Sequence, residues 1–242
     1  MKAFLNAHTV REIQTNTLNI SFIEAGPPDG RVVILLHGFP YDVHSYQHAL
    51  HLLAERGYRV IVPCLRGHGF TTYRFEDTKR SGQQALGADV VDLMDALGVE
   101  RAILAGFDWG GRAACVVSAL WPERVSGLVS VNGYLIQDLE TSQRPLDPRR
   151  ESGFWYFVYF LTQRGYAGLS EKLATRPAIA VPTVTLDGLA DGNFPATDGS
   201  AASLFFTGPH LHVQVPHAGH NLPQEAPEPF AKAIDDVARL GS

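Results

Sequence analysis

The sequence predicts a doubly wound α/β sheet, and three observations carry that expectation. Short, mostly apolar runs recur along the 242 residues, helical patterns alternate with them, and Gly, Pro, Asn and Asp cluster at the junctions. The runs at 32–36, 59–63, 102–105, 125–131, 183–186 and 211–215 read as strands covered on both faces, as in a parallel sheet flanked by helices. Ligand chemistry in such a sheet is expected at the carboxyl ends of the strands.

The elements follow in order. Residues 9–14 and 18–24 are β-rich and flank Thr15-Asn16-Thr17, which predicts a hairpin. Helical patterns at 45–56, 82–97, 111–121 and 227–240 separate or follow the apolar strands. One segment breaks the alternation. Residues 134–180 carry no strand pattern, and Phe154-Trp155-Tyr156-Phe157-Val158-Tyr159-Phe160 concentrates aromatics. We read 1–133 and 181–242 as the core domain and 134–180 as a short helical lid placed over the strand ends, since aromatics line ligand pockets as readily as cores.

Composition narrows the function classes. A net charge of −5 with scattered Lys and Arg gives no basic stripe for nucleic acid. No apolar run reaches membrane-spanning length, and Met1–His8 lacks the apolar centre of a signal peptide. The two cysteines, Cys64 and Cys115, fall in a strand end and a helix and read as buried small hydrophobes. With no disulfide framework, a cytoplasmic location is the simplest expectation. No HExxH or paired-Cys spacing points to a metal, and His44, His48 and His51 suit a helix surface better.

The chemistry concentrates at four strand ends. After the run at 102–105 comes Gly106-Phe107-Asp108-Trp109-Gly110-Gly111, a strand–turn–helix elbow with aspartate where serine commonly stands. Asp108 could serve only as a helix cap, but a cap needs no glycine at both 106 and 110, whereas a strained nucleophile turn does. A carboxylate needs no deprotonation before attack. It favours displacement at an alkyl carbon, because attack on an ester would give a reactive anhydride. His37-Gly38-Phe39-Pro40 follows the run at 32–36, and its turn can aim the Phe39 amide into the site. With the Trp109 amide it would form an oxyanion hole. His220, after the last strand, is the expected general base; His210, His212 and His217 share its neighbourhood. Thr183-Val184-Thr185-Leu186-Asp187-Gly188-Leu189-Ala190-Asp191 offers two acids to orient it, Asp191 ahead of Asp187.

These motifs, with Cys64-Leu65-Arg66-Gly67-His68-Gly69 and His217-Ala218-Gly219-His220-Asn221-Leu222-Pro223, resemble the epoxide hydrolase and haloalkane dehalogenase branch of the α/β-hydrolase superfamily. The resemblance implies the α/β-hydrolase fold, a mostly parallel sheet flanked by helices with a helical lid. It implies Asp108 as nucleophile, His220 as base, Asp191 as its partner, and the Phe39 and Trp109 amides as oxyanion hole. Tyr156, Trp155, His37 and Pro40 would line the substrate's place, with Tyr156 protonating an opening epoxide. Position 39 is Phe rather than the Asn of many dehalogenases, which ranks epoxide opening above halide displacement. The lid is shorter than in related enzymes and shows no second activating tyrosine, so slow turnover, an open mouth and a homodimer covering the aromatics are expected. The implied substrate is a small epoxide or alkyl halide, with no cofactor, no metal, no nucleic acid and no membrane. The alternatives are a dehalogenase using the same covalent route, and a weakly active or non-catalytic binding protein on the same fold.

Overall fold

The computed structural model describes residues 9–78, 82–136 and 177–241. Its strands are β1 (Val10–Gln14), β2 (Leu18–Ala25), β3 (Val32–Leu36), β4 (Arg59–Pro63), β5 (Thr72–Tyr73), β6 (Ala102–Gly106), β7 (Val125–Val131), β8 (Thr183–Gly188) and β9 (His210–Val215). The longer helices are α1 (Gln47–Glu55), α2 (Gln83–Ala96), α3 (Asp108–Leu120) and α4 (Pro227–Leu240). One sheet joins the strands in the order β1-β2-β4-β3-β6-β7-β8-β9, with the two-residue β5 paired to β2. The β1–β2 hairpin is antiparallel, as is β2 against β4, and every pairing from β4 through β9 is parallel.

Side-chain alternation explains why the central strands read as apolar throughout. In β3, Val33 and Leu35 face the layer built with Ala49, Leu50 and Leu53 of α1 and Phe230, Ile234 and Val237 of α4. Ile34 and Leu36 face the opposite layer, with Leu86, Val90 and Leu93 of α2 and Val116 and Val117 of α3. Both faces are therefore dry, and the period-2 signal of a half-wet sheet has nothing to generate it. Cys64 and Cys115 are both buried and unpaired, as small hydrophobes would be.

β3 pairs with β4 on one side and β6 on the other, so chain order reverses direction between β3 and β6. A crevice opens at such a point beyond the strand ends. The loops after β3 and β6, carrying Phe39 and Asp108, meet there. The expected helix at 111–121 begins three residues earlier, at Asp108, because a single extended residue, Phe107, separates it from β6. The short elements β5, Ser200–Ser203 and Leu222–Glu225 have no periodic signature and were not expected from the sequence.

Of the expected lid at 134–180, residues 137–176, including Trp155 and Tyr156, lie outside the described residues. Its two ends are neighbours: the Tyr134 hydroxyl donates to the Pro177 carbonyl at 2.8 Å. Ile179, fully buried, then bridges in parallel to Phe206 before β8 begins.

Candidate active site

The loop between β6 and α3 is the tightest in the site. Phe107 is extended, and Asp108 then takes φ +51, a left-handed conformation that a non-glycine residue adopts at a cost of about 1–3 kcal/mol. Flanking glycines make the turn possible through close approach. A Cβ on Gly110 would sit 2.0 Å from the Leu36 carbonyl oxygen, and one on Gly106 would lie 2.7 Å from the Gly110 backbone. The elbow therefore packs directly against the end of β3, which carries the Asp108 carboxylate to the Phe39 amide. That amide donates to Asp108 Oδ1 at 2.8 Å. Burial works against the charge of Asp108, but His220 and the Phe39 and Trp109 amides outweigh it and hold the carboxyl below its usual range.

The second oxygen of Asp108 faces His220. Their Oδ2 and Nε2 atoms lie 3.7 Å apart, close enough for attraction and too long for a hydrogen bond. The other imidazole nitrogen, Nδ1, is 3.0 Å from Asp191 Oδ2. Burial lowers the His220 pKa, yet the two carboxylates win and raise it to about 9. At neutral pH the resting imidazole is a cation between two anions. Asp191 is held below its usual range despite burial, by His220 and by the Phe194 and Asn193 amides.

Of the two candidate acids, Asp187 near the end of β8 and Asp191 on the loop after it, Asp187 turns elsewhere. Its Oδ2 accepts the Thr197 N–H at 2.8 Å and the Thr197 hydroxyl at 2.9 Å. It lies 3.9 Å from His212, and Asp191 is the acid that meets His220. His210 and His212 share the Thr185 hydroxyl on the sheet, and His217 is exposed; none of the three joins Asp108. The His220 loop is rigid because Glu225 accepts the amides on either side of the histidine, Gly219 at 2.8 Å and Asn221 at 3.2 Å.

His37 requires a correction. It was expected to touch substrate, but it is fully buried. Its Nδ1 meets the Gly38 carbonyl at 2.9 Å and its Nε2 accepts the Leu65 amide at 3.1 Å. Burial lowers its pKa to about 4, so it is neutral and braces the turn from behind. Phe39 and Pro40, next in the chain, are exposed at the rim. Trp109 is half-buried, with the Arg112 guanidinium 5.2 Å over its ring.

Three residues that sequence reasoning missed complete the site. Asn132, the residue after β7 with φ +68, donates from Nδ2 to Asp191 Oδ2 at 3.1 Å. Phe194 stacks on the His220 ring at 5.3 Å, and Tyr41 approaches that ring at 6.2 Å. The only available signal was their place just after strands, which many inert residues share. Among the described residues no cluster of three or more His, Cys, Asp or Glu side chains could hold a metal ion, and no helix is long and apolar enough to cross a membrane.

Comparisons with known proteins bear on the fold and the family. A family model described as the alpha/beta hydrolase fold matches residues 31–217. Epoxide hydrolase A of Mycobacterium tuberculosis is 34% identical over 160 residues, which cover 64% of this chain and 48% of that protein. This chain thus spans about half the length of the named sequence relatives it matches. A crystal structure from Klebsiella pneumoniae, assigned as an epoxide hydrolase, superposes with a TM-score of 0.89 at 38% identity, covering 96% of this chain and 97% of that one. A membrane phospholipase A superposes at 0.72 with 22% identity, covering 98% of this chain and 87% of that one, so backbone shape alone does not select a chemistry. The matched segment runs from the start of β3 through β9 and includes the Asp108 turn and the Asp191 loop, and by that match the chain belongs to the α/β-hydrolase fold family.

Proposed function

We propose that this protein opens epoxides to diols through an ester on Asp108. The observation that carries this reading is the division of labour between the two Asp108 oxygens. Oδ1 accepts the Phe39 amide, while Oδ2 faces His220 Nε2 at 3.7 Å, beyond hydrogen-bond length. The epoxide hydrolase names of the relatives support the substrate class.

In the first step Oδ2 attacks an epoxide carbon, a carbon–oxygen bond of the ring breaks, and the oxygen leaves as an alkoxide that takes a proton. Tyr156 is the proposed donor. Ester formation removes the Asp108 charge, one of the two that hold the His220 proton. Burial and Asp191 then compete alone, and the imidazole gives up the proton that restores the phenol. In the second step neutral His220 Nε2 takes a proton from water as the oxygen adds to Asp108 Cγ. The tetrahedral oxyanion forms on Oδ1, where the Phe39 amide already donates and the Trp109 amide, which also stabilises the Asp108 carboxylate, would join it. Collapse expels the diol oxygen, which takes the proton back from His220, and the carboxyl proton left on Asp108 passes to His220 Nε2 to restore the resting pair.

Asp108 ionised in the ground state and a base released only by esterification fit two steps in sequence. His220→Gln should leave the first step intact and stop the second. Incubation with a small epoxide should then add the epoxide's mass to the peptide containing Asp108. An adduct on another peptide, or one that persists in Asp108→Ala, overturns the assignment. Halide release without diol formation from matched substrates would transfer the site to alkyl halides.

A further inference from the structure

Asp191 uses its two oxygens for different tasks. Oδ2 meets His220 Nδ1, and Oδ1 accepts the backbone amides of Asn193 at 2.8 Å and Phe194 at 3.0 Å. An aspartate gripping the amides two and three residues on closes a tight local turn. This turn returns the Phe194 side chain over the imidazole, with the two rings 9° from parallel and their centroids 5.3 Å apart. Phe107 meets the same imidazole edge-on at 6.0 Å and 78°, and Tyr41 lies at 6.2 Å. Among the described residues, three aromatic rings therefore surround His220 and two carboxylates bracket it.

We propose, building on the assignment of His220 as base, that Phe194 is a positioning residue for it: the stacked ring fixes the imidazole plane and favours its cationic form. The negative face of an aromatic ring attracts a cation most where water is excluded. A stacked neighbour also blocks rotation of the imidazole about its own axis. Such rotation would carry Nε2 off the line to Asp108, and a displacement of 1 Å costs on the order of 10²-fold in rate. Because Asp191 sets both the Nδ1 hydrogen bond and the turn, losing this one carboxylate would release the imidazole at its edge and at its face together.

Among the described residues, the charged and titratable groups around the ring are Asp108 on α3, Asp191 after β8 and the Tyr41 phenol after β3; Glu225 acts on the adjoining amides. All four remain when Phe194 is changed. Phe194→Leu keeps apolar cover without a π face, and Phe194→Tyr keeps both. The test is an NMR titration of the His220 imidazole in the resting enzyme, paired with single-turnover rates for each step. Phe194→Leu should lower the titration midpoint by roughly half a pH unit or more. It should slow ester hydrolysis about tenfold while leaving alkylation within about threefold. Phe194→Tyr should match the parent in all three. A leucine variant with the parent's midpoint and hydrolysis rate overturns the proposal and leaves Phe194 as filler. The midpoint needs no turnover, so a midpoint shift in a protein that opens no epoxide would sink the functional assignment and leave the stacking intact.

Discussion

Two histidines stand at the same edge of the sheet, one after β3 and one after β9, each beside a glycine in a turn. Their chemistry is opposite. His37 is surrounded by backbone, with the Gly38 carbonyl at one nitrogen and the Leu65 amide at the other, and burial lowers its pKa to about 4. His220 is less enclosed and faces Asp108 and Asp191, which raise it to about 9. Backbone dipoles fix a neutral imidazole's tautomer and spend both nitrogens. Carboxylates leave one nitrogen facing Asp108 and supply a charge that the proposed ester formation would remove. The role of each histidine comes from its partners, which only the assembled sheet brings together.

The sharpest way to break this difference is to take away a partner of His220. Asp191→Asn should slow ester hydrolysis about 10²–10⁴-fold, the range seen when an orienting acid is lost from other triads. Alkylation should change far less, since Asp108 and its oxyanion amides stay in place. Asp187→Asn should slow hydrolysis less than about tenfold, because that carboxylate is bound to Thr197 and its loss would act through the loop alone. Single-turnover kinetics on both variants decides the matter, and the reverse ranking would move the acid to Asp187.

A smaller loss should follow from unbracing the β3 loop. His37→Phe fills a similar space but drops both hydrogen bonds, leaving the buried Leu65 amide and Gly38 carbonyl unpaired. The cost should be about 1–3 kcal/mol of stability for each buried group left unsatisfied. The Phe39 amide would also drift from Oδ1. It serves both steps, so alkylation and hydrolysis should slow together, by no more than the roughly 10²–10³-fold of losing a hole donor outright. A selective loss of hydrolysis would mean that His37 acts on His220 and not on the hole.

How much of this was legible in the sequence follows from the range of each interaction. Strand, elbow and helix around Asp108 are contiguous in the chain, so Gly106, Asp108 and Gly110 announce themselves within five residues. The parallel core was legible for a similar reason, because strands buried on both faces carry their own signature. The choice between Asp191 and Asp187 lay beyond the local pattern: it turns on Thr197, ten residues past Asp187, folding back onto that carboxylate. Asn132 and Phe194 matter through contacts across 59 and 26 positions, which no local motif encodes. His37 was misplaced because its motif fixes the loop but not the direction of the ring.

The smallest effect is a dependence of stability on pH, and it reads both histidines without any substrate. His37 is lowered to about 4 from an ordinary 6.5, so between these values the unfolded chain binds the extra proton. Stability should therefore fall as pH drops from 6.5 toward 4. His220 is raised to about 9, so the folded chain holds the extra proton above 6.5. Its contribution is complete below 6.5 and fades as pH climbs toward 9. The lowered carboxylates of Asp108 and Asp191 lose their own contribution only below the ordinary 3.8, outside both windows. The two limbs together predict a maximum near 6.5; the alkaline limb should answer to His220, and the acid limb mainly to His37 with a smaller share from His210, which burial also lowers. Thermal midpoints measured from pH 4 to 9 should show the alkaline limb flattened in His220→Gln and the acid limb flattened in His37→Asn, at about 2–4 °C for each kcal/mol involved. If His220→Gln instead flattens the acid limb, the imidazole is not held as a cation between its two carboxylates, and the contrast between the two loops collapses.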